Sequence, residues 1–119
     1  MILHNSYNSF VNLAHRKDRY EHITKQLANV GIEATRTPGM MPDQFPVSDK
    51  TNVMRRRTPG AIGCHYSQVA VMTKAMELNM HAFVMEDDIV FCSDFHERMK
   101  IVDEFLSTHE WDVFWMGGT

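Results

Sequence analysis

Cysteine, proline and long apolar runs are all scarce in this chain. Cys64 and Cys92 are the only cysteines among 119 residues. They form no Cys-x-x-Cys pair, and a disulfide scaffold of the secreted kind is not indicated. Both read as reduced thiols, which favours a cytoplasmic compartment. No apolar stretch approaches the roughly 20 residues of a membrane span. The opening Met1 to Ser6 lacks the basic start and apolar stretch of a signal peptide. Seven histidines are scattered without a His-x-x-x-His pair, so zinc hydrolase chemistry is not suggested. Charge of one sign is not in excess either. Twelve Lys and Arg face 15 Asp and Glu, for a net charge of −3, and no general affinity for nucleic acid or an anionic membrane follows.

What is present suits one soluble globular domain over residues 1–119, with 44% apolar and 23% charged residues. Tyr7 to Leu13 reads as a first strand, with Phe10, Val11 and Leu13 apolar. His15 to Val30 reads as a helix, because Tyr20, Ile23, Leu27 and Val30 recur at spacings of three and four. Asp18 suits its first turn and Gly31 stops it. Ile32 to Thr37 reads as a short second strand. Residues 38–57 contain Pro38, Gly39, Pro42 and Pro46 without periodicity, and read as a long, mobile loop. Thr58 and Pro59 are a helix start, and Ile62, Tyr66, Val69, Met72 or Thr73, and Met76 form the expected buried stripe of that helix. His81 to Met85 is the expected central strand. Ser93 is the expected cap of a last helix with Phe95, Met99, Val102 and Leu106 inward. Trp111 to Met116 reads as a closing strand. The alternation predicts an α/β fold with a mainly parallel sheet flanked by helices. A sheet whose last strand stops at Met116 invites more chain, so either a truncated domain or a naturally short relative is expected, and an open edge left by truncation would favour a homodimer or poor solubility.

Three stretches carry chemistry. In the first, the apolar Ala82-Phe83-Val84-Met85 breaks into Glu86-Asp87-Asp88 before Ile89-Val90-Phe91 resumes. Adjacent anions at the end of a buried strand present oxygen ligands at a sheet edge, where α/β proteins hold metals and nucleotides. Strand alternation would put Glu86 and Asp88 on one side and Asp87 on the other. Carboxylates with water suit Mg²⁺ or Mn²⁺. A solvated acidic turn is the competing reading. The second stretch is Asn12 to Arg19, where a helix start and two arginines one turn apart make an anion site; a solvated first turn with Asp18 paired to a neighbour competes. The third is Arg57 to Ser67, whose Gly60, Ala61 and Gly63 allow close approach to a ligand or to the sheet. Cys64 beside His65 makes a poor dyad, because adjacent helix residues point in different directions. A small buried thiol is the better reading.

The ordered set of these segments resembles glycosyltransferase family 25, the lipooligosaccharide and lipopolysaccharide biosynthesis glycosyltransferases, to which collagen galactosyltransferases are related. The resemblance rests on Asn12-Leu13-Ala14-His15-Arg16-Lys17-Asp18-Arg19, Val30-Gly31-Ile32, Gly60-Ala61-Ile62-Gly63-Cys64-His65-Tyr66-Ser67-Gln68, Glu86-Asp87-Asp88 and Trp111-Asp112. Gln68 stands where the family pattern has His. The resemblance implies a GT-A-like, Rossmann-related fold that covers only the nucleotide-sugar-binding part of a longer family domain. It implies transfer of a sugar, galactose for preference, from a UDP-sugar donor to a glycan or protein-linked acceptor. Glu86 and Asp88 would hold Mn²⁺ or Mg²⁺. Asn12, Arg16, Arg19, Gly60, Gly63, Ser67 and Asp87 would bind the donor, with Asp87 toward its ribose or sugar. Arg55 to Arg57 and the Pro38 to Asp49 segment would close over the diphosphate. No residue is assigned as the catalytic base. A transferase-like domain that binds without turnover, or a non-enzymatic α/β interaction module, stands as the alternative.

Overall fold

The computed structural model describes residues 1–41 and 59–117, the side chains of 59–61 excepted. After a single 3-10 turn at Ile2–His4 come β1 (Tyr7–Asn12), α1 (Lys17–Val30), β2 (Thr35–Pro38), α2 (Pro59–Glu77), β3 (Ala82–Glu86) and α3 (Phe95–Thr108). The three strands make one sheet in the order β2-β1-β3, and both pairings are parallel. The chain is therefore α/β with an open parallel sheet, as the alternation of elements predicts. Among the described residues no helix is long and apolar enough to cross a membrane.

The strand register decides which side chains share a face. Phe10 lies opposite Arg36 on one side and Met85 on the other. Side chains alternate along a strand, so Phe10, Arg36 and Met85 point the same way. On that face Phe10 and Met85 join Ile23 and Leu27 of α1 and Phe95 and Met99 of α3 in a single core cluster. Ser9 points the other way, toward α2, and is fully buried. Its hydroxyl bonds the Thr35 carbonyl at 2.7 Å and the Thr37 hydroxyl at 2.6 Å, so a polar residue at the sheet centre is satisfied by the neighbouring strand. Asn8 is likewise buried, and its amide N–H groups reach Leu3 O and Glu33 O.

α1 ends as its sequence predicts. Gly31 adopts the left-handed conformation at φ 70, and the following Ile32 N–H returns to Leu27 O at 3.1 Å. Ile23 and Leu27 form the buried stripe; Tyr20 stays half outside, its ring 6.0 Å from that of Phe10. β2 starts at Thr35, later than expected, and Ile32 is instead a buried core residue just past the helix stop. The last helix is preceded by Asp94 rather than Ser93 at its cap position.

Two further expectations fail, the first in part, since Ile62 is buried as expected while Val69, Met72 and Met76 are not. The buried face of α2 is Ile62, Ser67, Val71 and Ala75; Val69, Met72 and Met76 are exposed, Met76 by 74%. The sequence pattern admits both stripes, and the sheet takes the one with smaller side chains because α2 packs against all three strands. Trp111 to Met116 is also not a strand. Trp111 instead donates its indole N–H to Leu106 O at 3.1 Å and packs its ring 4.9 Å from His81. Phe114, Trp115 and Met116 border a groove of about 840 Å³ along β3. Most of the expected 38–57 loop, with Arg55 to Arg57, lies outside the described residues; Pro38 itself closes β2.

Candidate functional site

Because all three strands are parallel, Asn12, Pro38 and Glu86 end on one edge of the sheet. The chain leaving β1 there enters α1, so the first turn of that helix stands over the edge with Arg16 and Arg19. The start of α2 comes in from the opposite face with Gly63, Cys64 and Ser67. Between them lies a cavity of about 360 Å³. Arg16, Arg19, Gly63, Ser67, Glu86 and Asp87 all line it, which brings together six residues that sequence reasoning selects. Asn12 does not line it but bonds Asp87, which does. Asp88 borders the groove along β3 instead, where Glu86 also contributes. Gly60 falls in the first turn of α2.

The carboxylates are not equivalent. The pairing Val11 opposite Glu86 continues one step to bring Asn12 beside Asp87, on the face covered by α1. Asn12 donates Nδ2 to Asp87 Oδ2 at 2.8 Å, and Arg19 donates to Asp87 Oδ1 at 3.4 Å. Asp87 is only 7% exposed and Asn12 only 3%. A buried carboxylate with both oxygens engaged is held in place. Glu86 points to the other face, where the Cys64 thiol approaches its Oε1 at 3.8 Å. Strand geometry ends at Glu86, so alternation no longer governs Asp88. The chain turns, and Asp88 comes to share Arg19 with Asp87, at 3.7 Å. The expected division, Glu86 and Asp88 against Asp87, is therefore replaced by one in which Arg19 binds both aspartates.

Asn12 is fixed from three sides. Its second N–H contact is Arg16 O at 3.2 Å, and its Oδ1 accepts from Arg36 Nε at 3.0 Å. A second nitrogen of Arg36 donates to the Asn12 backbone carbonyl at 2.9 Å. Gly39 N–H reaches that same carbonyl, and a Cβ at Gly39 would lie 2.7 Å from the Leu13 side chain. The absence of a side chain lets the chain after β2 keep this bond while lying close against Leu13.

Arg16 forms a two-pronged pair with Asp18, at 3.0 and 2.9 Å. The guanidinium bonds hold the Asp18 carboxyl down at about 2. The pair is open to water, so it is weak and exchangeable, and an incoming anion can compete for Arg16. The Cys64 thiol is pushed up by burial and by the Glu86 carboxylate. It stays protonated near neutral pH, which disfavours a nucleophilic role. Gln68 donates to its sulfur at 3.3 Å. Among the described residues no group of three or more His, Cys, Asp or Glu side chains is arranged to hold a metal ion.

Sequence reasoning missed the supports of this edge. Arg36 is a lone arginine in a strand and carries no local signal. His22 bonds Ile89 O at 2.8 Å, and Gln26 accepts from Phe91 N–H at 3.0 Å. These two α1 side chains clasp the segment after the aspartates; each looks like an ordinary helix residue in sequence.

A parallel α/β sheet with acids, guanidinium groups and two helix starts gathered at its C-terminal edge has the layout in which open α/β domains place a site. The profile of glycosyltransferase family 25 (LPS biosynthesis protein) matches residues 6–118, and the chain belongs to this family of glycosyltransferases. No curated protein matches the chain in a sequence search.

Proposed function

We propose that this edge holds the donor of a glycosyl transfer, a UDP-sugar with galactose as the sugar, for delivery to a glycan or protein-linked acceptor such as a growing lipopolysaccharide. In this reading the sheet is the donor-binding part of a GT-A-like domain. The observation that carries it is the convergence of Arg16, Arg19, Gly63, Ser67, Glu86 and Asp87 on one cavity.

Each group has a task set by its chemistry. A diphosphate is a multivalent anion; Arg16 and Arg19 offer it planar N–H pairs beside the start of α1. Binding it requires Arg16 to leave the exposed Asp18 pair and Arg19 to loosen from Asp88, both inexpensive at a solvated surface. Gly63 and Ser67 form the wall on the α2 side, where Gly63 leaves room and the Ser67 hydroxyl already donates to Gly63 O and accepts from Met40 N–H. Asp87 Oδ1, only loosely engaged by Arg19, has acceptor capacity for a donor hydroxyl.

Glu86 and Asp88 suit Mn²⁺ or Mg²⁺ in kind, being exposed hard-oxygen donors that border one groove. In number they fall short of a full shell, which diphosphate oxygens and water would complete. A divalent ion bound there would offset the charge that builds on the departing nucleotide.

Calorimetric titration of UDP and UDP-galactose, with and without Mn²⁺, into the wild type and Asp88→Ala tests this. Metal-dependent binding that the substitution abolishes is expected. Wild-type protein that takes up neither nucleotide in either condition would remove the donor-site reading.

A further inference from the structure

We propose that Arg36 is the positioning residue of this edge. It sets the Asn12 side-chain amide so that its N–H faces Asp87, and through that bond it holds the turn that carries Asp87 and Asp88. The consequence for a bound donor rests on the donor-site reading above; the orientation of the amide does not.

The geometry forms a relay across all three strands. Arg36 on β2, Asn12 on β1 and Asp87 just beyond β3 share the sheet face beneath α1, as the registers Phe10 to Arg36 and Phe10 to Met85 require. Arg36 Nε to Asn12 Oδ1 is 3.0 Å, and Asn12 Nδ2 to Asp87 Oδ2 is 2.8 Å. An arginine only donates and an ionised carboxylate only accepts. An amide between them satisfies both in one orientation alone, with oxygen toward Arg36 and nitrogen toward Asp87. The second Arg36 bond, to the Asn12 backbone carbonyl at 2.9 Å, makes the clamp two-pronged and keeps the guanidinium from swinging away. Arg36 does not line the cavity, so it makes no contact with anything bound there and positions the site through Asn12. Without Arg36 the buried amide oxygen loses its donor, the amide keeps one strong anchor instead of two, and the aspartate turn gains freedom.

The test begins on the unliganded chain, with hydrogen exchange of side-chain amides followed by nitrogen-15 NMR. In wild type the Asn12 amide exchanges slowly. In Arg36→Met its exchange rises about tenfold, while the Asn8 amide on the same strand, which has its own partners, is unchanged. Arg36→Lys keeps the charge but cannot make the two-pronged clamp, and falls near Arg36→Met. Unchanged Asn12 exchange, or an equal rise at Asn8, overturns the proposal, the second because it would report general loosening. Titration of UDP with Mn²⁺ then reads the consequence. Arg36→Met weakens binding about tenfold, and adding Arg36→Met to Asn12→Ala weakens it no further. Additive losses overturn action through Asn12. Should wild type bind no UDP, the donor reading falls, and the amide exchange alone decides the role of Arg36.

Discussion

Replacing Asn12 with Ala probes the edge most directly. The substitution removes three hydrogen bonds: to Asp87 Oδ2, to Arg16 O and from Arg36 Nε. The first serves a carboxylate that is 7% exposed, and leaving such a group short of a donor costs about 2 kcal/mol. The other two partners fare better. Arg36 keeps its bond to the Asn12 backbone, and the Arg16 carbonyl is only partly buried, so together they contribute about 1 kcal/mol. The sum, about 3 kcal/mol, corresponds to a fall in melting temperature of about 12 °C at roughly 4 °C per kcal/mol for a domain of this size. Thermal unfolding followed by circular dichroism at neutral pH measures it. Asn12→Asp sharpens the test. It sets a second carboxylate against Asp87, so its loss of stability is larger at neutral pH than near pH 4, where the pair can share a proton. A melting temperature for Asn12→Ala within about 4 °C of wild type, or an Asn12→Asp deficit that grows on acidification, would refute the claim that this amide secures Asp87.

Other consequences arise from single groups. Asp18, held at about 2 against an ordinary 3.8 by Arg16, adds stability that is present above its unfolded value and lost as pH falls toward 2; an NMR titration finds that low midpoint, and Arg16→Ala returns it toward 3.8. Gly31→Ala forces a side chain into φ 70 and costs about 1 kcal/mol, since nothing obstructs the new methyl and the backbone alone resists; denaturant unfolding at equal m reads the shift, and an unchanged midpoint would deny the left-handed helix stop. Cys64, protonated and partly buried, reacts with a thiol reagent at neutral pH more slowly than the exposed Cys92; equal rates would contradict the burial and the Glu86 contact.

Local signals made much of this protein legible. The apolar run into Glu86-Asp87-Asp88, the stripe of Ile23 and Leu27, the Gly31 stop and the arginines at the start of α1 each act within one or two turns of chain, so they can be read without knowing the fold. Their order in sequence was enough for the α/β class, and parallel strands with helix crossovers necessarily bring the ends of β1 and β3 to one edge. That is why six selected residues meet in one cavity. Tertiary structure decided the rest. Two stripes on α2 run at helical spacing, one of small residues and one richer in methionine, and only the close approach of the sheet selects Ser67, Val71 and Ala75 over the methionines. Trp111 to Met116 has the composition of a strand, but pairing is a property of two strands, and the contacts of Trp111 with Leu106 and His81 hold its start against α3 and the beginning of β3. Which acid is buried depends on where β3 stops pairing: alternation reaches Glu86 and fails at Asp88. Arg36 is invisible in sequence because the amide it orients is 24 positions away. Only the register of three parallel strands sets Arg36, Asn12 and Asp87 in a row, and no local pattern encodes a register shared by separate strands.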